Sequence, residues 1–258
     1  MSGPVPKKSL GQHFLADDNI LGVIARLAEL DAGDVALEIG PGLGALTELL
    51  IARCAHVHAV ELDEQLEPHL RGIAGAPNLS LHWGDALRLD LAQLEPAPNK
   101  LVANLPYNIA TPIVAESLDR LPAIDLWCVM VQREVADRFF AVPSTKAYGA
   151  VSVLVQLAVR RTGFHPVSRT VFRPPPNVES ALVAFRRIPL PGNFAEIRRV
   201  VEGAFAHRRK TLANSLQLAG VTTREQAADA LFDLGFDPSV RAEALDPPVF
   251  VELTRKVV

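Results

Sequence analysis

The chain has 258 residues, 49% hydrophobic and 21% charged, with 26 Lys plus Arg against 29 Asp plus Glu. That composition excludes fibrous and disordered classes, and the length suffices to bury a large core without metals or disulfides. No run approaches the roughly 18 apolar residues of a membrane span, and Lys7 and Lys8 are followed by polar residues rather than a signal-peptide apolar segment, so a soluble cytoplasmic protein with no membrane partner is expected. Cys54 and Cys128 stand singly in apolar stretches and read as reduced core thiols. The net charge of -3 conceals an asymmetry. Residues 160–210 hold eleven basic side chains and three acids, whereas the remainder carries 15 basic and 26 acidic groups. One face could therefore attract a polyanion.

In chain order, β-rich runs at Val35–Ile39, His56–Glu61, Leu79–Trp83, Lys100–Asn104 and Ile124–Val131 alternate with helical patterns. Alternation of this kind predicts an α/β fold with a parallel sheet and crossover helices. Two more runs, Ala158–Phe164 and Ala181–Ile188, are joined by a loop containing Arg173-Pro174-Pro175-Pro176, which is too poor in helix formers for a crossover, so a hairpin-like edge is expected. Pro189-Leu190-Pro191-Gly192-Asn193 breaks the pattern, and the rest reads as helix, with a capping box at Thr222 to Glu225 and Asp246-Pro247 as a helix start. Two domains are predicted: residues 1–188, and a small all-helical domain over 189–258.

The first strand runs directly into Gly40-Pro41-Gly42-Leu43-Gly44 and then a helix. Glycines there let backbone approach a ligand, and Glu61, at the end of the next strand, could grip ribose hydroxyls. By itself the pattern fits NAD, FAD, S-adenosylmethionine or a purely structural turn. The third strand ends in Gly84-Asp85-Ala86, where Asp85 can accept from an adenine amino group, cap the following turn, or do both. The fourth ends in Asn104-Leu105-Pro106-Tyr107, an amide carbonyl beside a flat ring, which suits a base. His56 and His58 share a strand face with no third ligand apparent, so no metal is expected.

Taken together these segments resemble one family, the small-subunit ribosomal RNA adenine dimethyltransferases, within the S-adenosylmethionine-dependent methyltransferases. The resemblance covers nearly the whole chain. It rests on Lys8-Ser9-Leu10-Gly11-Gln12-His13-Phe14-Leu15, Glu38-Ile39-Gly40-Pro41-Gly42-Leu43-Gly44, Val60-Glu61-Leu62-Asp63, Gly84-Asp85-Ala86, Asn104-Leu105-Pro106-Tyr107-Asn108-Ile109 and the stretch Val171 to Ser180. The segment from Phe205 to Leu216 is similar to that family's rRNA-contacting helical domain.

The resemblance implies a Rossmann-like methyltransferase sheet with S-adenosyl-L-methionine as cofactor. His13, Leu15 and Gly40 would surround its methionine end, Glu61 would hold the ribose and Asp85 the adenine, with Gly42, Leu62 and Ala86 beside them and Asn104 between cofactor and substrate. This chain departs from the family in having His13 where Asn is usual and Glu179 where Asp is common. The chemistry then expected is methyl transfer to the exocyclic nitrogen of adenine, with no metal. Asn104 and the Leu105 carbonyl would accept the amine hydrogens, Pro106 would stiffen the turn, and Tyr107 and Phe172 would sandwich a base extruded from its stack. Arg208, Arg209 and Lys210 would grip phosphates. The implied substrate is two adjacent adenines near the 3′ end of small-subunit rRNA, each dimethylated, and a monomer is expected. A large-subunit rRNA adenine methylase of the macrolide-resistance type and a mainly non-catalytic small-subunit assembly factor remain open, with a dinucleotide oxidoreductase ranked last.

Overall fold

The computed structural model describes residues 6–7 and 12–258; Lys8–Gly11 of the first motif lie outside the described residues. In chain order the strands are β1 (Phe14–Leu15), β2 (Val35–Ile39), β3 (His56–Glu61), β4 (Leu79–Trp83), β5 (Lys100–Asn104), β6 (Leu126–Gln132), β7 (Val159–Val167), β8 (Phe172–Arg173) and β9 (Ser180–Arg187). Seven of them form a sheet in the order β4-β3-β2-β5-β6-β9-β7. From β4 to β6 all neighbours are parallel, and β9 is antiparallel to β6. The pair β1 and β8 makes a separate two-stranded ribbon. The first four strands of the sheet begin and end at the residues expected from sequence, and β9 and β7 lie side by side at the sheet edge.

The strand order fixes where a ligand can enter. From β2 the chain steps outward through β3 to β4, then returns to the other side of β2 for β5 and β6. The reversal leaves a crevice beyond the carboxyl ends of β2 and β5, the position at which open α/β sheets bind ligands. The sheet behind it is closely packed. β6 is buried along nearly its whole length, and Trp127 stacks on Phe185 with ring centroids 5.5 Å apart while its Nε1–H donates to Ser117 Oγ at 2.8 Å. At the far end of the sheet Lys100 Nζ pairs with Asp34 Oδ2 at 2.7 Å, both side chains buried.

Helices α1 (Asp18–Leu27), α2 (Ala45–Arg53), α3 (Glu67–Leu70) and α4 (Ala110–Arg120) belong to the sheet unit. Asp17 caps α1, its carboxylate accepting from Asn19 N and Ile20 N. This first compact unit comprises residues 1–136 and 160–187. The second comprises 137–159 and 188–258, so the two units interleave along the chain rather than following one another at residue 188. The returning piece contains helix Ala150–Ala158, apolar on nearly every face, and such a helix needs burial on more than one side.

Within the second unit that helix accompanies helices Phe194–Phe205, Leu212–Leu218, Arg224–Asp233 and Pro247–Val257. Tyr148, Phe205 and Phe250 form an aromatic row, and the Tyr148 hydroxyl donates to the Leu245 carbonyl at 2.7 Å. Gly203 is required by packing, since a Cβ there would stand 2.6 Å from Val221 Cγ2. The capping box falls on Thr223 and Gln226, one residue later than expected, and Asp246 precedes Pro247 at the last helix without a side-chain cap bond. Among the described residues no helix is long and apolar enough to cross a membrane.

Candidate active site

A cavity of about 1170 Å³, counted to its open mouth, occupies the crevice and is lined by the ends of β2, β3, β4 and β5 together with the Gln12–Leu15 segment. Its floor is the turn after β2. Gly40, Gly42 and Gly44 have φ of 76°, 60° and 89°, left-handed values that favour glycine. The turn is also crowded, since a Cβ at Gly42 would lie 3.0 Å from the Phe14 ring and one at Gly40 3.2 Å from Pro106 Cγ. Glycine is therefore needed for both conformation and clearance.

Glu61, at the end of β3, is buried and binds three backbone donors. Its Oε1 accepts from Leu62 N and Asp63 N, both at 2.9 Å, and its Oε2 accepts from Gly42 N at 3.1 Å. Burial pushes its pKa upward, and those three N–H groups pull the other way. Glu61 thus fastens the glycine turn to β3 while keeping one acceptor site, on Oε2, for a ligand hydroxyl. Asp85 lines the cavity and also caps its own turn, Oδ1 accepting from Leu87 N at 3.0 Å. Leu62 and Ala86 line the same wall.

Asn104 ends β5 facing this cavity. Its Nδ2 donates to the His13 carbonyl at 3.1 Å, a bond that fixes which amide atom is which and leaves Oδ1 as an acceptor. The Leu105 N–H is held by the Met130 carbonyl at 3.0 Å. Tyr107 is oriented by a 2.7 Å bond between its hydroxyl and Ser180 Oγ, and its ring lies 5.5 Å from that of His13 at 32°. His13 Nδ1 in turn donates to the Pro174 carbonyl at 2.9 Å. The cavity therefore brings together His13, Leu15, Gly40, Gly42, Glu61, Leu62, Asp85, Ala86, Asn104, Leu105, Pro106 and Tyr107.

Phe172 is not among them. Its side chain is fully buried in the cluster of Ile20, Ile24, Val167 and Leu182, because β8 pairs with β1 and the ring turns inward to the apolar interior. The expected second stacking face does not come from Phe172 in this arrangement.

Sequence reasoning passed over Glu38. It lines the cavity one strand from Glu61, is buried to 1% exposure, and its Oε2 has no protein partner; the neighbouring Thr47 hydroxyl is likewise unpaired. Burial pushes the Glu38 carboxyl up to about 8, with Thr47 opposing the shift and the Glu61 charge adding less than Thr47 removes. The signal was present in the sequence as a charged side chain inside the apolar strand Val35-Ala36-Leu37-Glu38-Ile39, directly before the glycine turn.

Two other expectations change. His56 and His58 do have a third histidine nearby, His82 on β4, but His56 bonds Ser80 Oγ at 3.0 Å and meets His58 edge-on, while His58 and His82 are hydrogen-bonded to each other. The His58 Nε2–H donates to the Pro96 carbonyl at 2.9 Å, leaving Nδ1 to accept from His82 Nε2–H at 3.1 Å. Burial lowers the pKa of both His58 and His82, favouring the neutral rings this arrangement needs. Among the described residues no group of three or more His, Cys, Asp or Glu is placed to hold a metal ion. The basic run from 160 to 210 is only partly available to a polyanion. Arg186 pairs with Glu29 and Asp125, and Arg187 donates to three backbone carbonyls while lying over the Trp127 ring. Arg208, Arg209 and Lys210, by contrast, are exposed in the turn after helix Phe194–Phe205.

Comparison with known proteins accords with this geometry. The family described as ribosomal RNA adenine dimethylase matches residues 5–244. This chain belongs to that family. A ribosomal RNA small subunit methyltransferase A from Rubrobacter xylanophilus is 48% identical over 98% of this chain and 96% of its own length. Among solved structures, a dimethyladenosine transferase from Plasmodium falciparum is 25% identical, with a TM-score of 0.77 over 93% of this chain and 96% of its own. A 23S rRNA methyltransferase, ErmE, is 27% identical with a TM-score of 0.66 over 95% and 99%. The sheet with its flanking helices is accordingly a Rossmann-like methyltransferase fold.

Proposed function

We propose that this enzyme transfers methyl groups from S-adenosylmethionine to the exocyclic nitrogen of adenine in small-subunit ribosomal RNA, dimethylating two adjacent adenines near the 3′ end. The observation that carries the reading is Asn104, whose Nδ2 is held by the His13 carbonyl so that Oδ1 stays an acceptor at the mouth of the glycine-turn crevice. The residues present fit the cofactor. Glu38 lines the cavity with a buried Oε2 that has no protein partner, suited to a cationic amine, and Glu61 Oε2 retains acceptor capacity for a ribose hydroxyl. When bound, S-adenosylmethionine supplies an electrophilic methyl group on a sulfonium.

The chain's own residues then supply orientation. Asn104 Oδ1 and the Leu105 carbonyl accept the two amine hydrogens, turning the nitrogen lone pair out of the ring plane and toward the methyl. No strong general base is required, because the nitrogen becomes acidic only as it gains positive charge. Tyr107 supplies one stacking face for the base, worth roughly 1 to 3 kcal/mol. Leu15 and His13 enclose the methionine end, and Leu62, Asp85 and Ala86 the adenine end. Arg208, Arg209 and Lys210 contact rRNA phosphates, the protein acting as a monomer in the cytoplasm.

The large-subunit reading has the ErmE likeness in its favour, at a lower TM-score than the dimethyladenosine transferase. Mass spectrometry of rRNA treated with the enzyme decides between them: methylated adenines in the small-subunit rRNA support the proposal, and modification confined to large-subunit rRNA overturns it. In the same assay Asn104→Ala lowers turnover roughly 100- to 1000-fold, the cost of removing one transition-state hydrogen-bond partner. Its affinity for S-adenosylmethionine stays within a few-fold. Retained turnover removes Asn104 from the mechanism.

A further inference from the structure

Asp63 stands just past the end of β3, buried to 5% exposure and outside the cavity lining. Its carboxylate gathers the N-terminal segment. Oδ1 accepts from Lys7 Nζ at 2.7 Å and from Gln65 N at 3.2 Å, and Oδ2 accepts from Gln12 Nε2 at 2.9 Å. The Lys7 N–H also donates to Gln12 Oε1 at 2.7 Å, so both ends of the Gln12 amide are fixed. Gln12 begins the wall that continues through His13, Phe14 and Leu15, and that wall packs on Gly42 and carries the carbonyl to which Asn104 donates. Its far end is pinned by the β1 and β8 pairing, and Asp63 ties its near end through Gln12.

We propose that Asp63 is a positioning residue for the cofactor site: without touching cofactor or substrate, it holds the Gln12–Leu15 wall, with the help of Lys7, at the depth where that wall closes on the methionine end and orients Asn104. This rests on the function proposed above. The charge on Asp63 matters, because hydrogen bonds to an ionised acceptor are roughly twice as strong as neutral ones. Burial opposes ionisation of Asp63, but the donors from Lys7 and Gln12 prevail and hold its carboxyl below the usual range. The backbone of Asp63 acts separately from its side chain, since its N–H donates to Glu61 Oε1 and a side-chain substitution leaves that bond in place. The backbone bonds that hold Glu61 at the ribose end therefore do not depend on the Asp63 side chain.

Calorimetry on the full chain tests this with two ligands, S-adenosylmethionine and adenosine, which lacks the methionine end. Asp63→Ala should weaken S-adenosylmethionine at least about tenfold, the scale of one lost hydrogen bond to a charged group, while adenosine changes less than twofold. Asp63→Asn, which keeps one acceptor for Gln12 but loses the charge facing Lys7, should fall between. Lys7→Met should shift S-adenosylmethionine in the same direction by several-fold, and if Asp63→Ala does not fold, this half-exposed position carries the comparison. Equal weakening of both ligands, or no change in either, overturns the positioning role while leaving the functional reading intact. A wild-type chain that binds neither ligand overturns both.

Discussion

The buried Glu38 carboxyl makes a prediction about stability that needs no ligand. Burial pushes its pKa up to about 8 in the folded chain against an ordinary 4.5, outweighing the opposing effect of Thr47, and the Glu61 charge adds to the rise. A carboxyl whose folded pKa is raised binds its proton more tightly when folded. The native state is therefore unpenalised below pH 4.5, loses stability as the pH rises from 4.5 to 8, and levels off above 8. The full span corresponds to a ceiling of about 5 kcal/mol, at 1.36 kcal/mol per pH unit, and relaxation of the open cavity would reduce it. Glu38→Gln keeps the shape and removes the titration. Urea unfolding of wild type and Glu38→Gln at intervals from about pH 4 to 9 isolates Glu38 together with its coupling to Glu61, since titrating groups that do not interact with Glu38 cancel in the difference. The two should match near pH 4, and the variant should become progressively more stable, by at least about 2 kcal/mol at pH 8 after allowing for that relaxation. A difference that stays constant with pH would show that Glu38 titrates normally and that its environment is wetter than the structure indicates.

Two further outcomes follow from the same geometry. Glu61→Gln presents one carbonyl where two carboxylate oxygens now accept three backbone N–H groups, so S-adenosylmethionine affinity measured by calorimetry should fall roughly 10- to 100-fold; unchanged affinity would discredit the ribose assignment. Neutralising Arg208, Arg209 and Lys210 together should weaken binding to small ribosomal subunits and flatten its dependence on salt by up to about three units of log-log slope, whereas an identical slope would clear them of phosphate contact.

Strand positions were legible because each of β2 to β5 is a short apolar run bounded by glycine, proline or polar residues, signals that are local in the chain. The residues that line the cavity at the strand ends were legible for the same reason. Phe172 defeats a local reading because its neighbouring loop suggests a surface while its partner, Leu15, lies far earlier in the chain; only tertiary pairing turns the ring inward. The grouping of residues 137–159 with the C-terminal helices is hidden in a similar way, since no composition change marks a segment that leaves one unit and returns to it. Arg186 and Arg187 look like part of a basic surface because counting charges cannot reveal the carboxylates and carbonyls they meet.

The departure at His13 shows why a residue change need not change chemistry. What Asn104 needs from position 13 is a backbone carbonyl, and every amino acid has one. The histidine ring is engaged elsewhere, donating to the Pro174 carbonyl and lying beside Tyr107. The side chain at 13 can therefore vary while the amide of Asn104 keeps its orientation, provided that the peptide itself stays in place. That proviso transfers the burden from the side chain of His13 to whatever fixes its backbone: the β1 and β8 pairing after it, and the Gln12 amide before it. Orientation of the Asn104 amide then depends on main-chain placement, and the glycine clearance under Phe14 serves that same placement.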